Sequence, residues 1–91
     1  MDKKVEQNIL VNQEKGLHLR VAAELVNICK KHDATVTVSC NQCAEADACS
    51  ILSVLMLGAR KGDTVTVSAR GTEAQAAVDE ISQYFSEGGG I

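Results

Sequence analysis

The chain reads as an α+β open-faced sandwich: a four-stranded antiparallel sheet with three helices on one face, in the order β-α-β-β-α-β-α. Two kinds of pattern predict this. Thr35-Val36-Thr37-Val38-Ser39-Cys40 and Thr64-Val65-Thr66-Val67-Ser68-Ala69 alternate strictly, apolar on one side and mostly hydroxyl on the other. A sheet with one wet face pairs antiparallel and carries its helices on the dry face, because parallel sheets are covered on both. Elsewhere the apolar spacing turns helical. Ala22, Leu25, Val26 and Cys29 fall at i, i+3, i+4 and i+7, and Ala74, Ala77, Val78, Ile81 and Phe85 make a second stripe.

The first strand is expected near residues 6–12, around Ile9, Leu10 and Val11, before Gln13-Glu14-Lys15-Gly16 breaks it. A helix opens at Leu19, with Arg20, Glu24, Lys30 and Lys31 off its apolar stripe, and stops around His32-Asp33. His32 suits the negative end of that helix and needs no further role. After the strand over 35–40, Asn41-Gln42 is a candidate turn. Residues 43–48 then make a short return strand with Ala44, Ala46 and Ala48 on one face. Ser50 is the N-cap of a two-turn helix through Ile51-Leu52-Ser53-Val54-Leu55-Met56-Leu57, ended by Gly58. After the last strand, Thr72 and Gln75 form a T-x-x-Q capping box for the third helix. Residues 1–91 are read as one domain, with the glycine-rich 88–91 a flexible tail.

Composition removes several function classes. Nine basic and twelve acidic side chains give a net charge of −3, against a basic face for DNA or RNA. Tyr84 and Phe85 are the only aromatics, so there is no platform for stacking bases. No apolar run approaches the roughly 20 residues that span a bilayer, and the start has no signal-peptide apolar region. The expected location is the cytoplasm, whose reducing conditions keep cysteines as thiols.

The stretch Gly16-Leu17-His18-Leu19-Arg20 stands out. With Leu19 opening the helix, His18 is the N-cap, and the first-turn N–H groups of Leu19 and Arg20 point toward it. The helix dipole adds about half a positive charge there. An anion at His18 meets backbone donors, the dipole and the Arg20 guanidinium together, an arrangement suited to phosphate. Gly16 permits the turn that presents the ring. A neutral imidazole is a nucleophile near pH 7, and a phosphoryl group on its nitrogen is readily passed on. No carboxylate pair and no Ser-His-Asp grammar accompany it. The pattern points to a carrier, not an enzyme, and to no cofactor.

Gly16-Leu17-His18-Leu19-Arg20, together with Ser50-Ile51-Leu52 and the downstream Gly58 and Lys61-Gly62, resembles the HPr family. These are the histidine-containing phosphocarriers of the bacterial phosphoenolpyruvate-dependent phosphotransferase system. The resemblance runs over residues 5–87. It implies that His18 is phosphorylated at Nδ1 with Arg20 as partner of the phosphoryl group. It implies that Ser50 is the target of a serine kinase and phosphorylase, and that Leu17, Leu19, Ile51, Leu52 and Leu55 meet partner proteins. The implied partners of a monomeric carrier are enzyme I as donor and enzyme IIA as acceptor, in sugar uptake or regulation. Two positions depart from the family. Leu19 replaces the usual Ala or Ser and enlarges the apolar rim around the ring. Val21 replaces the usual Pro and removes a backbone lock.

The competing class is a small metal-binding or redox module built on the CxxC of Cys40 and Cys43. Ferredoxin-like metal carriers share the β-α-β-β-α-β order, but hold that motif in the loop before the first helix. Here that loop carries His18 and Arg20. Cys29 and Cys40 fall on inward faces and read as small core residues.

Overall fold

The computed structural model describes residues 4–40 and 45–87. The elements follow the expected order: β1 (Lys4–Leu10), α1 (Leu19–Lys31), β2 (Thr35–Cys40), β3 (Glu45–Asp47), α2 (Ile51–Met56), β4 (Thr64–Arg70) and α3 (Ala74–Ser86). The strands make one sheet in the spatial order β1-β4-β2-β3, antiparallel at every pairing.

Alternation decides which face is dry. Val36, Val38 and Cys40 of β2 and Val65, Val67 and Ala69 of β4 are all buried. The register sets Val38 against Val67 and Val36 against Ala69, so the inner face is one continuous apolar surface. On the outer face Ser68 Oγ donates to Glu6 Oε2 (2.9 Å) and Thr66 Oγ1 donates to Asn8 Oδ1 (2.8 Å). These are directly opposed pairs of the β1–β4 ladder.

α1 buries Val21, Ala22, Leu25, Val26, Ile28 and Cys29, and α3 buries Ala74, Ala77, Val78, Ile81 and Phe85. Each helix has 13 residues. Isolated helices shorter than about 12–15 residues are marginal in water, so these stripes hold the helices in place. Fully burying each Leu, Ile or Phe side chain is worth roughly 1.5–3 kcal/mol.

Three expectations need correction. β1 spans Lys4–Leu10, not 6–12. It starts early because β4 continues to Arg70, which pairs with Lys4. It ends early because the Val11 N–H donates to Asp63 O (2.8 Å) while the Gly62 N–H donates to Val11 O (2.8 Å), so pairing with the turn is no longer one to one. The capping box does not form. Thr72 Oγ1 donates to Asp33 Oδ2 (2.9 Å), Gln75 Nε2 donates to Asp79 Oδ1 (2.8 Å), and Glu73 is the N-cap without a side-chain cap bond. Gly71, at φ +126°, presses the chain against Asp33, where a Cβ would stand 2.9 Å from the Asp33 carbonyl oxygen; Thr72 is turned to Asp33 for that reason.

His32 is the third. It is the C-cap of α1, and its ring does more than face a dipole. Nδ1 lies 3.1 Å from Glu73 Oε1 and Nε2 lies 2.8 Å from Glu80 Oε1, so a protonated ring donates at both nitrogens and joins α1 to α3. The other Glu80 oxygen pairs with Lys31. The candidate turn Asn41-Gln42 and residues 43–44 lie outside the described residues; Ala46 and Ala48 are buried as expected.

This cluster gives a testable pH dependence. The bonds to Glu80 and then Glu73 lift the His32 pKa above its ordinary 6.5, against the effect of burial. A raised folded-state value means the stabilisation is complete below the unfolded value and is lost as pH rises through the folded one. Lys31 and then His32 hold Glu80 below the usual carboxylate range, so its share is lost as pH falls through that low value. Thermal melts of wild type and His32→Gln should differ most at about pH 5–6. The gap should shrink above neutrality, and remain modest because Glu73 is half exposed.

Candidate functional site

The chain leaves β1 at Leu10 and must reverse before α1. Gln13, read from the sequence only as a strand breaker, is fully buried in that reversal. Its Oε1 accepts from the Asn12 N–H (3.1 Å), and its Nε2 donates to the Phe85 carbonyl at the end of α3 (3.4 Å). An unpaired buried amide costs roughly 1–3 kcal/mol, so these bonds fasten the loop to α3. Nothing in local sequence distinguishes a glutamine placed this way from a solvated one.

Gly16 comes next. Its N–H donates to Gln13 O (2.9 Å), its carbonyl accepts from the His18 N–H (2.9 Å), and the Leu17 N–H donates to Ala59 O (3.1 Å). Gly16 has φ +67°, and a Cβ there would lie 2.3 Å from Ala59 O and 2.8 Å from Arg60 Cα. Glycine is therefore required twice, for its backbone angle and for the closeness of the 59–60 backbone. This contact brings the histidine loop against the segment that follows α2.

His18 then caps α1 with an extended backbone (φ −81°, ψ 179°). Its carbonyl accepts from the Ala22 N–H (2.9 Å), and its Nδ1 accepts from the Arg20 N–H (3.3 Å). A neutral imidazole accepts at only one nitrogen, so this geometry places the proton on Nε2 and the lone pair on Nδ1. That lone pair faces the N-terminus of a 13-residue helix, where backbone donors and the dipole favour negative charge. Arg20 and Leu19 are exposed, Leu19 at 63%.

Tyr84 of α3 reaches the same end of α1. Its hydroxyl is buried without a hydrogen-bond partner among the described residues. Burial first, and then Glu24, push its pKa upward, while Arg20 opposes them. The sequence marked Tyr84 only as an aromatic.

Ser50 is the N-cap of α2, its Oγ accepting from the Ser53 N–H (3.3 Å). Val54 alone in that helix is buried, while Ile51 and Leu55 are half-buried and Leu52 is 68% exposed. Met56, at 78% exposed, extends this apolar surface and was legible in the same apolar run. Leu17 requires correction: it is 5% exposed and part of the core cluster, because its amide is bonded to Ala59 and its side chain turns inward. It supports the loop and offers no surface to a partner.

Cys29 and Cys40 are buried, as their positions on inward faces imply. Cys43 lies outside the described residues. No group of three or more His, Cys, Asp and Glu among the described residues could hold a metal ion. A cavity of about 500 Å³ lies at the far end of α1, lined by His32, Asp33, Arg70 and Thr72, and contains none of the residues around His18.

The site thus combines a histidine that caps a helix of an open-faced sandwich with a neighbouring short helix that exposes large apolar side chains. Residues 5–87 match the family model described as the PTS HPr component phosphorylation site. The chain belongs to the HPr family of phosphocarrier proteins of the phosphotransferase system. It is 40% identical over 76 residues to the phosphocarrier protein HPr of Vibrio cholerae serotype O1, covering 84% of this chain and 88% of that protein. It is 30% identical over 84 residues to the phosphocarrier protein NPr of Escherichia coli K12, covering 92% and 93%. Among solved structures, HPr-C-His from Thermoanaerobacter tengcongensis superposes with a TM-score of 0.89 at 26% identity, covering 96% of this chain and 97% of that one. Phosphoryl carriage within the phosphotransferase system is therefore this chain's function. No helix among the described residues is long and apolar enough to cross a membrane.

The Gly16 contact is testable. Gly16→Ala should destabilise the protein by at least about 2 kcal/mol, from the left-handed backbone angle and the overlap with Ala59 together. Denaturant titration followed by circular dichroism measures this. A change below about 0.5 kcal/mol would show that the 59–60 backbone is free to move away.

Proposed function

We propose that His18 is the residue that carries the phosphoryl group, on Nδ1, and that the chain is a carrier with no substrate of its own to transform. The observation that supports this is the Arg20 N–H bonded to Nδ1 at the start of α1 (3.3 Å). In this reading the Nδ1 lone pair attacks the phosphorus of a phosphohistidine on an enzyme I-type donor, and the donor nitrogen leaves in line. As the N–P bond forms, the Arg20 N–H passes from Nδ1 to a phosphoryl oxygen, and the guanidinium takes another. The Nε2–H stays in place. Phosphoryl transfer asks for positioning and charge stabilisation more than for covalent chemistry, and a fixed helix terminus with an arginine provides both. Transfer to an enzyme IIA-type acceptor runs the same steps in reverse.

Docking falls to the apolar surface of Leu19, Ile51, Leu52, Leu55 and Met56. A charge-depleted, large-side-chain patch is the kind of surface that protein partners bury. Ser50 is the regulatory position in this reading. A phosphate there adds roughly −1.5 to −2 charges at the edge of that patch and opposes docking. Leu19, exposed where the family has a small residue, supports a choice of partners that extends to a regulatory branch.

Incubation with enzyme I and phosphoenolpyruvate should add one acid-labile phosphoryl group to the wild type and none to His18→Ala. Arg20→Ala should fold and accept phosphate about 10- to 100-fold more slowly, as expected for losing a charge-assisted hydrogen bond. Undiminished labelling of His18→Ala would overturn the assignment.

A further inference from the structure

The turn that follows α2 is built against the histidine loop and carries an uncommitted positive charge. Gly16 leaves room for the backbone of residues 59–60 alone: a Cβ there would lie 2.8 Å from Arg60 Cα. The Leu17 N–H donates to Ala59 O (3.1 Å) and the Gly62 N–H to Val11 O (2.8 Å), so the chain on both sides of Arg60 is bonded to the loop that carries His18. Within the turn the Arg60 N–H donates to Asp63 Oδ2 (2.8 Å), and the Asp63 N–H donates to Arg60 O (2.9 Å). The backbone of Arg60 is thus fixed beside Gly16, while its side chain is exposed. His18 lies two Cα steps of about 3.8 Å beyond Gly16. The His18 N–H bond to Gly16 O (2.9 Å) draws that segment back on itself. The separation is within the joint reach of an arginine and an imidazole.

The charges around the loop are unequally engaged. Lys61 pairs with Glu14 (3.5 Å). Among the described residues no carboxylate lies within ion-pair distance of the Arg60 guanidinium. Asp63, the nearest acid in sequence, gives a carboxylate oxygen to the backbone N–H of Arg60 instead. On the reading that His18 Nδ1 carries the phosphoryl group, we propose that Arg60 is a second phosphoryl-binding guanidinium, reaching the group from the turn after α2 while Arg20 holds it from α1. A phosphoryl group in transfer spreads its charge over three equatorial oxygens. The Arg20 N–H and guanidinium take two of them, and Arg60 takes the third. Arginine suits this place because its planar fork meets phosphate oxygens in fixed geometry, where lysine offers only a point charge. Without a phosphoryl group the side chain stays in solvent, as its exposure shows. The close approach at Gly16 therefore has a second consequence: it delivers this charge as well as shaping the loop.

Nitrogen-15 NMR of the full chain, phosphorylated with enzyme I and phosphoenolpyruvate and then freed of enzyme I, reads the contact with no partner present. The Arg60 Nε–H signal, assigned by its loss in Arg60→Lys, should shift on phosphorylation and return as the phosphoryl group is hydrolysed. In transfer kinetics Arg60→Gln should lower kcat about 10-fold, as for a lost charge-assisted hydrogen bond, with KM changed by less than about 2-fold. Arg60→Lys should recover part of that rate. Lys15→Gln removes an equal, exposed charge from the same loop and should leave kcat within about 2-fold of wild type. Circular dichroism checks that each variant is folded. An Arg60 signal unmoved by phosphorylation, a loss confined to KM, or an equal fall in kcat for Lys15→Gln would overturn the proposal. Phosphorus-31 NMR of the wild type keeps this result separate from the His18 assignment. Phosphorus on Nδ1 with an unmoved Arg60 signal defeats the Arg60 contact alone, whereas phosphorus elsewhere defeats the assignment and the contact together.

Discussion

The close approach of Gly16 to the Ala59 carbonyl is the constraint on which the rest of the site depends. A Cβ would sit 2.3 Å from that oxygen, so the two backbone segments touch with no side chain between them. The Leu17 amide, bonded to the same carbonyl, locks the contact, and Leu17 plugs the space beneath it. His18 follows directly and has little choice but to cap α1. The buried Gln13 amide secures the other side of the loop to α3. The His18 ring is thereby held on rigid elements, which is what the transfer proposed for it requires.

That contact also explains why two motifs far apart in sequence belong to one surface. α1 packs against α2, and the loop before α1 is bonded to the segment after α2. The apolar excess of α2 follows from this arrangement. One buried position, Val54, seats the short helix, and the remaining large side chains face outward or sit at the margin. The opposite end of α1 serves stability, through His32 between Glu73 and Glu80.

Much of the fold was legible because period decides it. The strictly alternating β2 and β4 fall where the sequence puts them, and the helical stripes name the buried residues of α1 and α3, missing only Val21 and Ile28. What failed was chemistry that depends on distant partners. Thr72 and Gln75 have the spacing of a capping box, yet Asp33 and Asp79 claim their side chains. Leu17 looks like a surface residue in a motif and is core, because the Ala59 carbonyl that holds its amide lies 42 positions along the sequence, beyond any window of periodicity. His32 and Gln13 are likewise set by α3, over forty residues away. The candidate site was legible at His18, Arg20 and Ser50 because capping is local; the reason for Gly16 was not, since a positive φ can be guessed from sequence and a close approach cannot.

The central claim is that the Nδ1 lone pair of His18 faces the first-turn amide of Arg20. Nitrogen-15 NMR of the ring in the unphosphorylated protein at alkaline pH measures this directly, through couplings of each ring nitrogen to the carbon-bound protons. The expected result is a neutral ring protonated at Nε2, with Nδ1 as acceptor, and phosphorus on Nδ1 after transfer. A ring protonated mainly at Nδ1, or phosphorus found on Nε2, would contradict the placement of the site.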